Sequence, residues 1–403
     1  MDRIVELSLA HDHHSHVSLY AAMDGVPDIS SLDAAQATAL LAALPGDSLS
    51  LVKGWRSDRL DLGPAVLEKL PPVLIVNSSL HGFALSPSAR PFAERLWPEL
   101  AGHGDDRQWG ELHLPDLFVF YTRLAGLDSE KLARFMAGMA ALGIHSLEDM
   151  TISGAEALRA FAEAGLGDRV RSWATPKVFA SLSRNDRARC EGVKIFLDGS
   201  LGARSAALDE GFLDGSQAAL LYGDEELLAL LAALAAERTG LSVHAIGHRA
   251  IEQILGALRT LRREGLEFEA VRLEHVQFIS QEQGRAARDL GLVLSMQPNF
   301  SMDSELYADR LRERHRVENN PFRMLIDRLG FRPGLDLVFG SDGMPHGIPE
   351  ALRWSLFPPH EGQVLGLDEF VAGSKAPNDS TQPVVSLRYR IDSRSRSVEA
   401  LES

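Results

Sequence analysis

Between residues 143 and 340 the chain repeats one unit: a short apolar run, a loop, then a helical run. The apolar runs are Gly143–Glu148, Lys177–Ser181, Val193–Leu197, Leu241–Ile246, Val271–Val276, Leu292–Gln297 and Leu335–Gly340. They have the length and residue types of buried strands. Between most of them lie helical stretches such as Glu225–Glu237 and Ala250–Leu261, the latter with Ile251, Ile254, Leu255 and Leu258 on one face. An eighth strand-like run, Ile4–Ala10, stands near the N-terminus. Eight alternating β/α units predict an α/β fold built as a closed parallel (β/α)8 barrel, with a doubly wound sheet as the rival. The length, 403 residues, suits one such barrel with additions.

The additions can be placed. Ser30-Ser31-Leu32-Asp33 offers a helix start before Ala34–Leu44. Strand-like pieces at Leu49–Trp55 and Pro72–Asn77 flank a polar stretch, and Ser86–Glu130 is rich in proline and charge. Residues 46–130 are expected to be an insertion after strand one, near the active site. Lys131–Leu142 carries Leu132, Phe135, Met136, Met139 and Leu142 at helical spacing. The expected organisation is a barrel over residues 1–374 and a polar, partly ordered C-terminal extension over 375–403, with one strand-like run at 384–390.

Composition narrows the function. Net charge is −15, a field that repels nucleic acid and anionic membrane, so neither is expected as a partner. The one cysteine, Cys190, excludes an intrachain disulfide and a Cys-rich zinc site. No signal-like segment precedes the first strand and no apolar run is long enough to span a bilayer, so a reducing, cytoplasmic setting is expected. Chemistry must therefore come from His, Asp, Glu and Lys.

In barrels of this kind active sites lie at the C-terminal strand ends. Of the 14 histidines, four fall in His11-Asp12-His13-His14-Ser15-His16, at the end of the first strand. In extended chain His14 and His16 face one way and His11 and His13 the other. Lys194 sits inside Val193–Leu197, His244 inside Leu241–Ile246, His275 inside Val271–Val276, and Asp342 ends Gly340-Ser341-Asp342. Polar groups inside apolar strands are costly unless paired or metal-bound. A strand His is more often a hydrogen-bonded core residue, a strand Lys a snorkelling one, and Asp after Gly-Ser a cap. Six residues obeying one positional rule point instead to a metal centre.

This set resembles the amidohydrolase superfamily: His-x-His on strand one, Lys on four, His on five and six, Asp on eight. Val193-Lys194-Ile195-Phe196-Leu197-Asp198-Gly199-Ser200-Leu201-Gly202, His244-Ala245-Ile246-Gly247, Arg272-Leu273-Glu274-His275 and Gly340-Ser341-Asp342 resemble its amidohydrolase-3, YtcJ-like branch, which includes N-substituted formamide deformylases. The likeness runs over about residues 5–355. It implies a hydrolase acting on carbon–nitrogen bonds other than peptide bonds, with His14, His16, Lys194, His244, His275 and Asp342 as metal ligands. The implied cofactor is a divalent metal, zinc by preference, one or two ions per chain, with a CO2-derived carbamate on Lys194. A free ammonium cannot ligate a cation, whereas the carbamate is an anion. Asp342 is the implied proton-transfer residue, and His81, Arg204 and Gln297 are candidate contacts to a small-molecule substrate. A homo-oligomer is compatible with all of this.

Three departures stand out: the β-sandwich domain usual in the family is reduced or absent, His248 replaces an acidic residue, and the segment after Asp342 is short. Deamination is the first rival, but deaminases of this type carry Glu three residues after the strand-five His, and Gly247 is there. Lactone or ester hydrolysis is a second rival. A non-catalytic binding protein is a third, disfavoured by six intact ligand positions.

Overall fold

The computed structural model describes residues 2–56, 59–77, 80, 82–103, 107–377 and 385–401. The chain divides into two compact units, Leu19–Lys131 and the remainder.

In chain order the strands are β1 (Asp2–Ser8), β2 (Ala10–Ser15), β3 (Ser50–Trp55), β4 (Val73–Asn77), β5 (Phe83–Leu85), β6 (Ile144–Asp149), β7 (Val170–Ala174), β8 (Cys190–Phe196), β9 (Gly240–Ala245), β10 (Val271–His275), β11 (Val293–Met296), β12 (Leu337–Phe339), β13 (Ser386–Asp392) and β14 (Ser397–Leu401). Eight of them form one parallel sheet in the order β2-β6-β7-β8-β9-β10-β11-β12. Sheet order follows chain order throughout, which is barrel winding; a doubly wound sheet reverses direction part-way. The first and last strands meet through Asp342 N–H to His14 O (2.7 Å) and Ser341 N–H to Asp12 Oδ1 (2.8 Å). Gly340 allows this approach, because a Cβ there would collide with the backbone of His14. Amphipathic helices cover the strands, for example His248–Arg263, which buries Ile251, Ile254, Leu255 and Leu258.

Two strand assignments need correction. The third barrel strand is β7, not Lys177–Ser181, which is helical (Pro176–Ser181). Thr175 caps that helix by accepting from Val178 N–H, and Pro176 occupies its first turn, where a missing N–H costs nothing. The first barrel strand is the histidine stretch itself, β2. The apolar run before it belongs mostly to β1, which pairs antiparallel with β13, and β13 pairs with β14. The C-terminal tail thus supplies two strands to a three-stranded sheet with the N-terminus. Tyr389 and Ile391 of β13 are buried there.

The Leu19–Lys131 unit has its own sheet, β3 parallel to β4 and β4 antiparallel to β5. Two hydrophobic clusters form within it, one around Leu74, Leu117 and Tyr121 and one around Leu41, Val52 and Ile75. Trp55 donates through Nε1 to Leu60 O, which makes it a packing residue of this unit. Its helix Ala34–Ala42 is closed by a capping box between Asp33 and Gln36. No helix among the described residues is long and apolar enough to cross a membrane.

Candidate metal centre

The barrel brings the six strand-end residues together. His14 is on β2 and His16 one residue beyond it, Lys194 on β8, His244 on β9, His275 at the end of β10, and Asp342 three residues past β12. Ring centroids are 4.6 Å apart for His14–His275, 4.5 Å for His244–His275 and 5.8 Å for His14–His16. Asp342 Oδ1 lies 3.2 Å from His16 Nε2 and 3.5 Å from His14 Nε2. His14, His275 and Asp342 each place one ligand atom within 4.8 Å of the other two. His275 (φ 69°) and Asp342 (φ 57°) both hold left-handed backbone, a strained state for residues other than glycine.

Hydrogen bonds behind the rings decide which nitrogens are free. His14 Nδ1 is 2.6 Å from Glu274 Oε2; an ionised carboxylate only accepts, so Nδ1 carries the proton and Nε2 the lone pair. His275 Nδ1 donates to Gln297 Oε1 at 2.7 Å, again leaving Nε2. His244 Nε2 donates to the Gly199 carbonyl at 3.2 Å and leaves Nδ1. His16 Nδ1 bonds Thr151 Oγ1 at 2.8 Å, behind an Nε2 that faces Asp342. Each ring is oriented by a partner on the side away from the shared space, an arrangement seen around metal-bound histidines.

Lys194 is wholly buried, and its Nζ has no hydrogen-bond partner among the described residues. Burial brings its pKa down to about 8, against the opposing pull of Glu274 and Asp342. A neutral amine is thus accessible near physiological pH. Burial also lowers His14, His244 and His275, the last to about 3, so these imidazoles are neutral. Burial opposes ionisation of Asp342, but a proton or cation shared with the facing His16, His14 and His275 rings holds the carboxyl well below its usual range. Neutral imidazoles, one carboxylate and an orphaned amine form a donor set that fits a divalent cation.

Beneath this layer the barrel interior is ionic. Arg272, two residues before Glu274 on β10, reaches Glu148 Oε2 (2.6 Å) and Glu274 Oε1 (3.0 Å). Glu274 also accepts from Ser242 Oγ at 2.7 Å. His11 and His13 belong to this layer: both approach Glu148 Oε1, at 3.5 and 3.2 Å, and take no part in the group around Asp342. Glu148 is further engaged by Trp173 Nε1 at 2.7 Å. Glu274, Gly199 and Thr151 were not singled out by the ligand pattern. The signal for Glu274 was its alternation with Arg272 in a buried strand, since two such charges persist there only when paired.

The candidate substrate residues are distributed differently. Arg204 (φ 56°) lies in the loop after β8 with its Nε 3.3 Å from Asp214 Oδ2. Gln297 is fully buried behind His275. Asn299 donates to Ser341 O and Met344 O, tying the end of β11 to the loop after β12. His81 lies outside the described residues. Asp198, after β8, accepts from the backbone of Ala207, Ile246 and Gly247. A Cβ on Gly247 would collide with Ala207. The position where deaminases carry glutamate is therefore closed to a side chain.

A family model described as "Amidohydrolase family" matches residues 126–354, more than half of the chain. The chain belongs to the amidohydrolase family. The chain is 33% identical over 157 residues to Protein LONG AFTER FAR-RED 3 of Arabidopsis thaliana, covering 38% of the chain and 26% of that protein. It is 32% identical over 122 residues to the putative amidohydrolase YtcJ of Bacillus subtilis, covering 30% of the chain and 23% of that protein. The match thus spans about a quarter of the length of these curated relatives. Its fold is shared with an uncharacterized metal-dependent hydrolase from Pyrococcus furiosus (TM-score 0.66, 20% identity, 92% of this chain and 81% of that one). One from Pyrococcus horikoshii OT3 gives a TM-score of 0.63 at 20% identity, over 92% of this chain and 78% of that one.

Proposed function

We propose that this amidohydrolase hydrolyses an amide- or formamide-type C–N bond of a small molecule, at a divalent-metal centre held by His14, His16, Lys194, His244, His275 and Asp342. The observation that carries this reading is the buried Nζ of Lys194, unbonded among the described residues and electrostatically coupled to His14, His244 and His275, whose hydrogen bonds leave one ring nitrogen of each with its lone pair. A buried amine without a partner costs about 1–3 kcal/mol. Addition of its lone pair to the carbon of CO2, with loss of one N–H proton, converts it to a carbamate anion. That anion would help hold one or two divalent ions, and zinc suits the N/O donor set. The metal, when bound, supplies Lewis acidity toward a carbonyl oxygen and lowers the pKa of water.

The protein's own groups then divide the work. His14, His244 and His275 present fixed lone pairs and stay neutral, and His16, held by Thr151, faces Asp342. Asp342, ionised at neutral pH, takes a proton from the attacking water and returns it to the leaving nitrogen, so the amine departs neutral. Arg204 and His81 are the substrate-side candidates, Gln297 acts on substrate only through the His275 ring it orients, and a homo-oligomer is the assembly.

The test is a screen of metal-loaded protein against N-formyl amines, N-acyl amino acids, cyclic amides and lactones, with Asp342→Asn alongside. Turnover of the formyl or acyl amides, reduced about 10²–10⁴-fold in the variant, is expected. Turnover confined to lactones, or to aminopurines and cytosine, would overturn the C–N assignment.

A further inference from the structure

A second cluster of ligand-type side chains is not used by the chemistry above. It contains His248, the residue at which the sequence departs from the family pattern. Asp209 lies in the loop after β8, His248 begins the helix after β9, and His315 is on the helix Glu313–Glu318 between β11 and β12. One ligand atom from each lies within 4.8 Å of the other two. His315 Nε2 is 3.0 Å and His248 Nδ1 3.5 Å from the same atom, Asp209 Oδ1.

We propose that Asp209, His248 and His315 form a site for one divalent transition-metal ion of the zinc class, separate from the barrel centre. Four observations support it. His248 Nδ1 is buried and makes no hydrogen bond among the described residues although it faces a carboxylate oxygen, and a shared cation would satisfy both atoms. The rings are already held. Phe278 stacks on His248 (5.7 Å) and meets His315 edge-on (5.8 Å), while Glu318 Oε2 stands 3.7 Å behind His248 Nε2.

The charge also fits a cation. Asp209, Glu210 and Glu318 outnumber Arg314, which pairs with Asp209 Oδ2, with Glu210 Oε1 (2.9 Å) and with Glu318 Oε2 (3.3 Å). Arg314 Nη2 also stands 3.2 Å from His315 Nε2, a contact that a metal ion would replace. Lastly, the site has a packed floor: Leu201, Leu208, Phe212, Ile246 and Leu311 from the same segments form a buried cluster with Phe278 of the loop after β10. Two imidazoles and one carboxylate select zinc, nickel or copper over magnesium or calcium, which prefer all-oxygen sets. A bound ion would clip together three segments that follow barrel strands four, five and seven.

This inference does not depend on the proposed hydrolysis, and its test reads metal binding alone. Chelator-stripped full-length protein is titrated with zinc chloride, and bound equivalents are counted after dialysis, for the parent, Asp209→Asn, His248→Asn and His14→Ala/His16→Ala. The expected result is that each of the first two variants loses one equivalent, or binds it at least tenfold more weakly, and shows a smaller zinc-induced rise in Tm. The His14/His16 variant should keep that equivalent. Asp209 has a 38% exposed side chain, so Asp209→Asn tests the site even if His248→Asn folds poorly. Unchanged stoichiometry and affinity in Asp209→Asn would overturn the proposal.

Discussion

Glu274 Oε2 lies 2.6 Å from His14 Nδ1, and the same carboxylate holds Arg272 and Ser242. One side chain therefore sets the tautomer of a candidate ligand and couples the centre to the ionic layer beneath it. Glu274→Gln keeps the shape but removes the charge that makes Nδ1 a donor and balances Arg272. Losing an outer hydrogen-bond partner of this kind lowers metal affinity about 10–100-fold. Competition with a chromogenic chelator measures it; an unchanged affinity would show that the ring needs no such partner.

Lys194 offers a test with opposite signs for stability and function. In metal-free, CO2-free protein its buried amine is a liability, so Lys194→Met should stabilise the fold at pH 7 by about 1–3 kcal/mol in urea melts. The folded pKa is about 8, below the ordinary lysine value. Between about pH 8 and the ordinary value the unfolded chain binds more protons, so the parent gains stability as pH rises. The advantage of the variant should shrink over that window, while its metal content stays low at every pH. A destabilised variant, or an advantage that grows with pH, would contradict the reading of an unpartnered amine.

Gly340 should tolerate no side chain. Gly340→Ala would push β12 away from the backbone of His14 at the barrel seam. A cost of about 1–3 kcal/mol is expected from overpacking, together with weaker metal binding, because Asp342 hangs from the same seam by its N–H to His14 O. Chemical denaturation and metal titration of the one variant test both parts.

The barrel was legible because its strands are short apolar runs whose polar exceptions obey one positional rule. The exceptions themselves, Lys194 in β8 and His244 in β9, carried more information than the hydrophobic residues around them. What was illegible depended on distant partners or competing local signals. β1 looks like a barrel strand until β13, nearly four hundred residues later, pairs with it along its full length. Lys177–Ser181 has strand-like residues, but Thr175-Pro176 starts a helix more strongly than those residues favour a strand. The orienting partners of the histidines were hidden for a third reason. A carboxylate such as Glu274 or a carbonyl such as Gly199 has no spacing rule relative to the ring it holds.

The central claim, a metal centre at the C-terminal ends of the barrel strands, is tested most directly by elemental analysis of purified protein beside His14→Ala/His16→Ala. The parent should carry at least one more equivalent of divalent metal per chain than the double variant, whose hydrolytic activity should be absent. Equal metal content in the two proteins would contradict the account.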